Sequence, residues 1–381
     1  MHCLPVSTPY ITKAHTETKR SRALALETTY AYDFPDLFKN SLIEVWREHR
    51  TKCQSKDCLH PLDSEVCAYQ ELVLDEDGKS VTEGHCYPGH NTIGIVAWKL
   101  DIKTPEYPKG REIVVIANDI SHLIGSFGPK EDLMFKRASE YARSKRIPRI
   151  YIASNSGARI GLANELLSVF RVAWEDPEDV EKGFKYLYLS PDDYQDLTAR
   201  GQEGILQTQL IQDQNENRYK ITAIIGLAND IGVENLSGAG MIAGETSQAY
   251  DEVVTIAMVT GRAIGIGAYL VRLSQRVVQV DNSAIILTGY TALNKLLGRE
   301  VYTSNTQLGG VQIMHNNGVS HATVHNDIEG VRKIVRWLSY IPKRKGASLP
   351  VRLEFEDDID RPVEYRPRPN QLYDPRWLLG T

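Results

Sequence analysis

Several things are scarce in this 381-residue sequence. There are five cysteines, Cys3, Cys53, Cys58, Cys67 and Cys86, an odd number with no C-x-x-C pair among them. That pattern excludes a disulfide framework and a zinc knuckle, and it predicts reduced thiols in an intracellular compartment. The formal net charge is −5, so no bulk electrostatic attraction to nucleic acid is expected. The first fifteen residues, MHCLPVSTPYITKAH, hold no apolar signal core, so the acceptor triplet Asn235-Leu236-Ser237 has no secretory context. There is no G-x-S-x-G elbow, no H-E-x-x-H and no G-x-x-x-x-G-K-[ST]. Gly238-Ala239-Gly240 and Gly265-Ile266-Gly267 stop short of G-x-G-x-x-G, so dinucleotide binding is not expected. His315, His321 and His325 lie close in sequence but lack cysteine or carboxylate ligands in register, and no metal site is expected. No side chain stands out as a catalytic base, which fits chemistry carried by a cofactor with backbone donors from the protein.

Long apolar runs are also few, and the longest, Val253 to Val271, carries Arg262 at its centre. A charge there would cost a spanning helix about 3 kcal/mol, and Gly261, Gly265 and Gly267 break the run further, so no membrane span is expected. This run lies inside Glu234 to Val280, the stretch around which the chain is organised. Tyr250, Val254, Ala257, Met258 and Gly261 fall at helical spacing and predict a buried helix ending at Gly261. A glycine turn, a second helix over Ala268 to Leu273 and a strand over Arg276 to Val280 follow. Arg262 reads either as a paired core arginine or as an anion ligand beside a helix N-terminus.

A second small-residue turn lies upstream. Arg149 to Ala153 predicts a buried strand, Ser154 to Ala158 a turn, and Arg159 to Phe170 a helix. Free N–H groups at Gly157 and Ala158 would meet an anionic oxygen there; a plain serine N-cap explains the same residues. Elsewhere, strands are expected at Tyr69 to Leu74, Ile95 to Ile102, Glu112 to Ala117, Tyr186 to Ser190, Ala284 to Leu287 and Val319 to Val324. Helices are expected over Asp36 to Trp46, from Glu131 to Ile147, over Ala292 to Leu297, and from an Asp327 cap with Val331, Ile334, Val335 and Leu338 inward. Residues 171–233 read as a polar surface excursion without chemistry.

The segments YDFPDLF (Tyr32 to Phe38), GSFGPKED (Gly125 to Asp132), SNSGARIG (Ser154 to Gly161), GFKYLYLSPDDY (Gly183 to Tyr194), GVENLSGAGMIAGETSQAY (Gly232 to Tyr250), GRAIGIGAYLVRL (Gly261 to Leu273), LGREVYTSNTQLGGVQIMHNNGVSH (Leu297 to His321) and WLSYIP (Trp337 to Pro342) together carry a resemblance. The chain resembles the N-terminal half of the carboxyltransferase part of eukaryotic multidomain acetyl-CoA carboxylase. The resemblance implies an α/β, crotonase-like ββα-repeat superhelix with mixed sheets. It implies a leader over 1–19, the carboxyltransferase N-terminal domain over 20–353, and a linker over 354–381 into a C-terminal carboxyltransferase half. It implies carboxyl transfer from carboxybiotin to acetyl-CoA, giving malonyl-CoA, the first committed step of fatty acid synthesis.

By the same resemblance, the backbone N–H groups of Ala158 and Ile266 are oxyanion donors, Arg262 and Gly157 contact the coenzyme A substrate, and Leu236 and Gly265 line the acyl pocket. Biotin rides on another domain, and ATP with Mg or Mn is used elsewhere in the full enzyme. The implied partners are the carrier domain, the C-terminal half and a second subunit, in cytoplasm or plastid. Two rival readings stand beside it: another crotonase-fold acyl-CoA enzyme such as a hydratase, for which Glu245 is the candidate acid, and a non-catalytic coenzyme A-binding or assembly module. Departures from the family pattern fall at Ser121-His122, at Leu227 to Ile231 and in the loop around Cys53 and Cys58.

Overall fold

A computed structural model describes residues 14–52, 60–75, 77–84, 87–159, 164–201, 203–213, 215–224, 236–350, 360–374 and 377. Taken in order, the chain runs α1 (Glu17–Ala25), α2 (Phe34–Lys52), β1 (Cys67–Leu74), β2 (Val81–Gly84), β3 (Ile95–Thr104), β4 (Tyr107–Asn118), α3 (Pro129–Lys145) and β5 (Arg149–Ala153). Next come α4 (Asn164–Leu167), β6 (Arg171–Trp174), β7 (Phe184–Leu189), α5 (Pro191–Ala199), β8 (Leu206–Asp213) and β9 (Glu216–Ile224). The last part holds α6 (Leu236–Glu252), β10 (Thr255–Val259), β11 (Arg262–Ile264), α7 (Ile266–Arg272), β12 (Arg276–Val280), β13 (Ala284–Ile286), α8 (Tyr290–Leu297), α9 (Thr306–Gly309), α10 (Val311–Met314), β14 (Ala322–Val324) and α11 (Asp327–Leu338).

Short strands that are apolar on both faces fix the architecture. An eight-stranded sheet has the order β14-β12-β10-β5-β4-β3-β1-β2. Its β14-to-β4 half is parallel and the rest antiparallel. Alternate residues feed two cores, as the two-residue period of a strand requires. Ile150, Ile152, Ile256, Met258, Val278 and Val280 pack on one face with Phe34, Phe38, Leu42 and Trp46 of α2 and Val331, Ile334 and Leu338 of α11. Tyr151, Ala153, Ala257, Val259 and Val277 pack on the other with Met134, Phe135 and Ala138 of α3, Ile242 of α6 and Leu270 of α7. Two successive units, β10-β11-α7 and β12-β13-α8, place their first strands side by side in the large sheet and their second strands in a separate two-stranded sheet. This is the ββα repeat of the crotonase-like fold.

Three expectations are corrected. The stretch 250–261 is not one helix: α6 ends at Glu252, and Thr255–Val259 is a fully buried central strand. The run Val253-Val254-Thr255-Ile256 is β-branched and apolar on both faces, which suits a covered strand better than an amphipathic helix. The excursion read at 171–233, with a single strand in it, is more ordered than that over 171–224, while 225–233 lie outside the described residues. Residues 171–224 form a four-stranded antiparallel sheet, β6-β7-β9-β8. It covers its own small core of Leu166, Leu189, Leu197, Ile205 and Leu206. The helix expected over 159–170 is described only at Asn164–Leu167, with residues 160–163 outside the described residues. Smaller shifts follow from capping. Phe34 opens α2 with Pro35 in its first turn. Asn326, not Asp327, caps α11 by accepting from the Glu329 N–H at 2.9 Å. Among the described residues no helix is long and apolar enough to cross a membrane.

Candidate active site at two converging turns

Strands β5 and β10 are parallel neighbours in register from Arg149/Thr255 to Ala153/Val259, so the turns that leave their carboxyl ends emerge together. Ligands of open α/β sheets gather at this edge. The first turn is Ser154 to Ala158, and the second is the connection from Thr260 to Ile266, which includes the three-residue β11. They are stitched by backbone bonds from Thr260 N to Ala153 O at 3.1 Å and from Asn155 N to Arg262 O at 2.9 Å. Gly157 and Gly265 meet across the gap. A Cβ on Gly157 would lie 3.0 Å from Ile264 O and 3.8 Å from Gly265 Cα. Both have positive φ, +83° and +54°, so any side chain there would be strained as well as crowded.

The two candidate donors follow from local geometry. Ala158 forms a parallel bridge with Phe127 in which Phe127 N donates to Gly157 O at 2.8 Å and Arg159 N donates to Phe127 O at 2.7 Å. That pattern uses the groups flanking Ala158 and turns its own N–H away from Phe127. Ile266 follows Gly265, the residue that caps α7, so its N–H belongs to the first turn and has no intrahelical acceptor. Among the described residues neither N–H has a protein acceptor. The Ala158 side is held by Arg159, which donates to Ser126 Oγ at 3.1 Å and pairs with the buried Glu131 at 3.1 Å.

Arg262 lines a cavity of about 240 Å³ with Ala25, Leu26, Glu27, Gly261, Asn282, Ala284, Asn305 and Thr306. Its guanidinium is half-buried, and among the described residues no carboxylate pairs with it. Its Nε is buried without a hydrogen bond. Burial pulls its pKa below the usual arginine value, with no opposing charge to restore it. Among the described residues the paired-core reading of Arg262 therefore finds no partner, and the residues leave room beside the guanidinium for an anion. A larger cavity of about 460 Å³ is lined by Ala268, Tyr269 and Arg272 of α7, by Leu287 and Thr288, and by Leu293 of α8. Leu236 opens α6, and its side chain lies outside the described residues.

Glu245, the candidate acid of the hydratase reading, is engaged elsewhere. Its Oε2 accepts from Arg143 at 2.7 Å, in a cluster where Arg143 also binds Glu252 at 3.0 Å and ties α6 to α3. The three C-terminal histidines act separately. His315 meets Ser320 O, His321 accepts from Val277 N, and His325 pairs with Asp281. Among the described residues no group of three or more His, Cys, Asp or Glu side chains could hold a metal. Cys67 is buried, which pushes its thiol up to about 12; Cys3, Cys53, Cys58 and Cys86 lie outside the described residues. Of the departures, Ser121 bonds Asp119 and His122 is half-buried 3.9 Å from Glu131, while 227–231 lies outside the described residues.

Sequence reasoning missed Asn118, Tyr151 and Asn155. Tyr151 Oη donates to Asn118 Oδ1 at 2.7 Å, and Asn155 Nδ2 reaches Asn118 Oδ1 at 3.3 Å and Tyr151 Oη at 3.2 Å. The available signal was an asparagine at or just past the end of each of two apolar strands, Asn118 closing β4 and Asn155 two residues after β5, where a buried amide must find partners.

Comparison with known proteins gives the family. Residues 105–381 match the family model described as the carboxyl transferase domain. The chain belongs to that family. It is 48% identical over 379 residues to the acetyl-CoA carboxylase of Saccharomyces cerevisiae, covering 100% of this chain and 17% of that protein. It is 48% identical to the acetyl-CoA carboxylase of Schizosaccharomyces pombe, covering 100% of this chain and 16% of that protein. It is also 46% identical over 374 residues to a mitochondrial acetyl-CoA carboxylase of Saccharomyces cerevisiae, covering 98% of this chain and 16% of that protein. The chain thus spans about a sixth of the length of these relatives. A transcarboxylase 12S structure with methylmalonyl-coenzyme A and methylmalonic acid bound is similar over 87% of this chain and 45% of that one, with 14% identity and a TM-score of 0.49.

Proposed function

We propose that this chain is the coenzyme A-binding half of a carboxyltransferase that moves a carboxyl group from carboxybiotin to acetyl-CoA, giving malonyl-CoA, within a longer acetyl-CoA carboxylase. The observation that carries the reading is Arg262: among the described residues a half-buried cation with no carboxylate partner, on β11, which leads through Gly265 to the Ile266 amide. The half-reaction needs both features. Removing a proton from the acetyl methyl group places negative charge on the thioester oxygen. The Ala158 and Ile266 amides would hold that oxygen, and losing one such donor typically costs about 3 kcal/mol. Arg262, with the close approach that Gly157 and Gly265 allow, would receive an anionic part of the substrate; Leu236 and Gly265 would bound the acyl group.

Biotin, carried on another domain, supplies the activated carboxyl group and an acceptor for the methyl proton, so this chain needs no side-chain base. Glu245 held by Arg143 is consistent with that. The remaining partners would come from a C-terminal carboxyltransferase half and a second subunit. ATP and its Mg or Mn would serve other domains, residues 354–381 would be a linker, and the leader expected over 1–19 would end before α1, which begins at Glu17. We place the protein in the cytoplasm, with a plastid the alternative compartment. Calorimetric titration of the purified chain with acetyl-CoA tests the reading. Arg262→Ala should weaken binding about tenfold or more, as expected for loss of a charge-assisted contact. Equal affinity in the two proteins would refute Arg262 as a ligand.

A further inference from the structure

We infer that Asn155 is the positioning residue of the proposed oxyanion pocket, its side-chain amide setting the distance between the two turns that carry the Ala158 and Ile266 donors. Its Oδ1 accepts two backbone bonds, from Gly157 N at 3.2 Å in its own turn and from Ile264 N at 3.2 Å in the other. One oxygen thus ties together the residue before Ala158 and the second residue before Ile266. The side chain is 0% exposed, so both bonds form out of water, where losing a partner is costly.

The orientation of the amide is determined by its surroundings. Two N–H groups converge on Oδ1, so the nitrogen faces the other way, towards Tyr151 Oη and Asn118 Oδ1. Asn118 in turn donates to Gly125 O at 3.3 Å, in the loop that carries Phe127, the bridge partner of Ala158. The network therefore joins all three segments around the pocket. Its fit is tight: a Cβ on Gly267 would lie 2.0 Å from Asn155 Oδ1, and one on Gly125 would lie 2.4 Å from Ser154 O. Asn155 touches no substrate in this account. It acts through the backbone, and an error of about 1 Å in donor placement is enough to cost a large factor in rate.

This inference rests on the oxyanion reading, and the test separates the two. The probe is acetyl-CoA labelled with carbon-13 at the thioester carbonyl, bound to the purified chain and read by isotope-edited infrared difference spectroscopy. In the unaltered chain the carbonyl band should move to lower wavenumber than in water, the signature of two donors on one oxygen. Asn155→Ala should lose most of that displacement while its affinity for acetyl-CoA, measured by calorimetry, changes by less than about threefold, because the Arg262 side chain is kept and the alanine N–H can still donate to Arg262 O. Gly267→Ala provides a second route, since its methyl group displaces the Asn155 amide without removing it; it should lose the band displacement too. A displacement retained in a folded Asn155→Ala or Gly267→Ala chain overturns the positioning role and leaves the oxyanion reading standing. Absence of any displacement in the unaltered chain overturns both.

Discussion

At the scale of single residues, the site and its support use buried polar groups in two different ways. Asn155 and Tyr151 find hydrogen-bond partners inside the protein, whereas among the described residues the Arg262 guanidinium pairs with no carboxylate, and in our reading that contrast separates scaffold from ligand site. Arg111 belongs to the scaffold. It is 0% exposed and donates to the carbonyls of Leu338 at 2.8 Å, Ile341 at 3.2 Å and Pro342 at 2.9 Å, which closes the end of α11 against β4. Arg111→Met should lower the unfolding free energy by about 2–4 kcal/mol, because one buried and two partly buried carbonyls lose their donor; urea denaturation will measure it. His325 gives a pH signature. Its Nδ1 lies 2.6 Å from Asp281 Oδ2, and that hydrogen bond raises its pKa above the ordinary histidine value. The stabilisation is therefore fully present below the unfolded-state pKa and is lost as pH rises through the raised folded value. An NMR titration should place the His325 midpoint above that of an unfolded peptide, and Asp281→Asn should return it.

At the scale of elements, legibility depended on period. The faces of α3 and α11 and the strands at 149–153 and 276–280 were readable, because amphipathic spacing and short two-sided apolar runs are local signals. The stretch 250–261 was not, because a fully buried strand directly after a helix shows neither clean period. Tyr250 sits at helical spacing from Val254, yet its ring is exposed at the end of α6 while Met258, further along, is sealed in the central sheet. The polar β8–β9 hairpin was missed for the opposite reason. Its burial is slight, so glutamine-rich composition hid the strands. The candidate site was legible as two glycine turns and one odd arginine. Its supporting amides were not, since hydrogen-bond partners 33 or 109 residues apart leave no local trace. Because Met258 is a core position of β10, Met258→Ala should cost about 2–5 kcal/mol in thermal or urea unfolding, whereas truncating Tyr250 should cost far less.

At the scale of the whole molecule, the parallel pairing of β5 with β10 explains why the two turns meet at all. Adjacent parallel strands deliver their loops to one edge, and the 25–29 segment closes over that edge. Thr260 Oγ1 donates to Thr28 Oγ1 at 2.9 Å, and Thr29 donates to Asp327 at 2.6 Å and 2.9 Å. The N-terminal segment thereby walls the Arg262 cavity. The chain covers 17% of the yeast relative, and in our reading the rest of the site comes from a C-terminal half. The purified chain should bind acetyl-CoA yet show no turnover between malonyl-CoA and acetyl-CoA with free biotin derivatives; adding the C-terminal half should restore it, and a steady-state assay of the two samples checks both statements. The most direct test of the account is a structure of the chain with a non-reactive acetyl-CoA analogue bound. The account predicts the thioester oxygen at about 2.7–3.1 Å from both the Ala158 and Ile266 amide nitrogens, with an anionic group of the ligand at Arg262. A thioester seated elsewhere, with those two amides facing packed side chains, would contradict it.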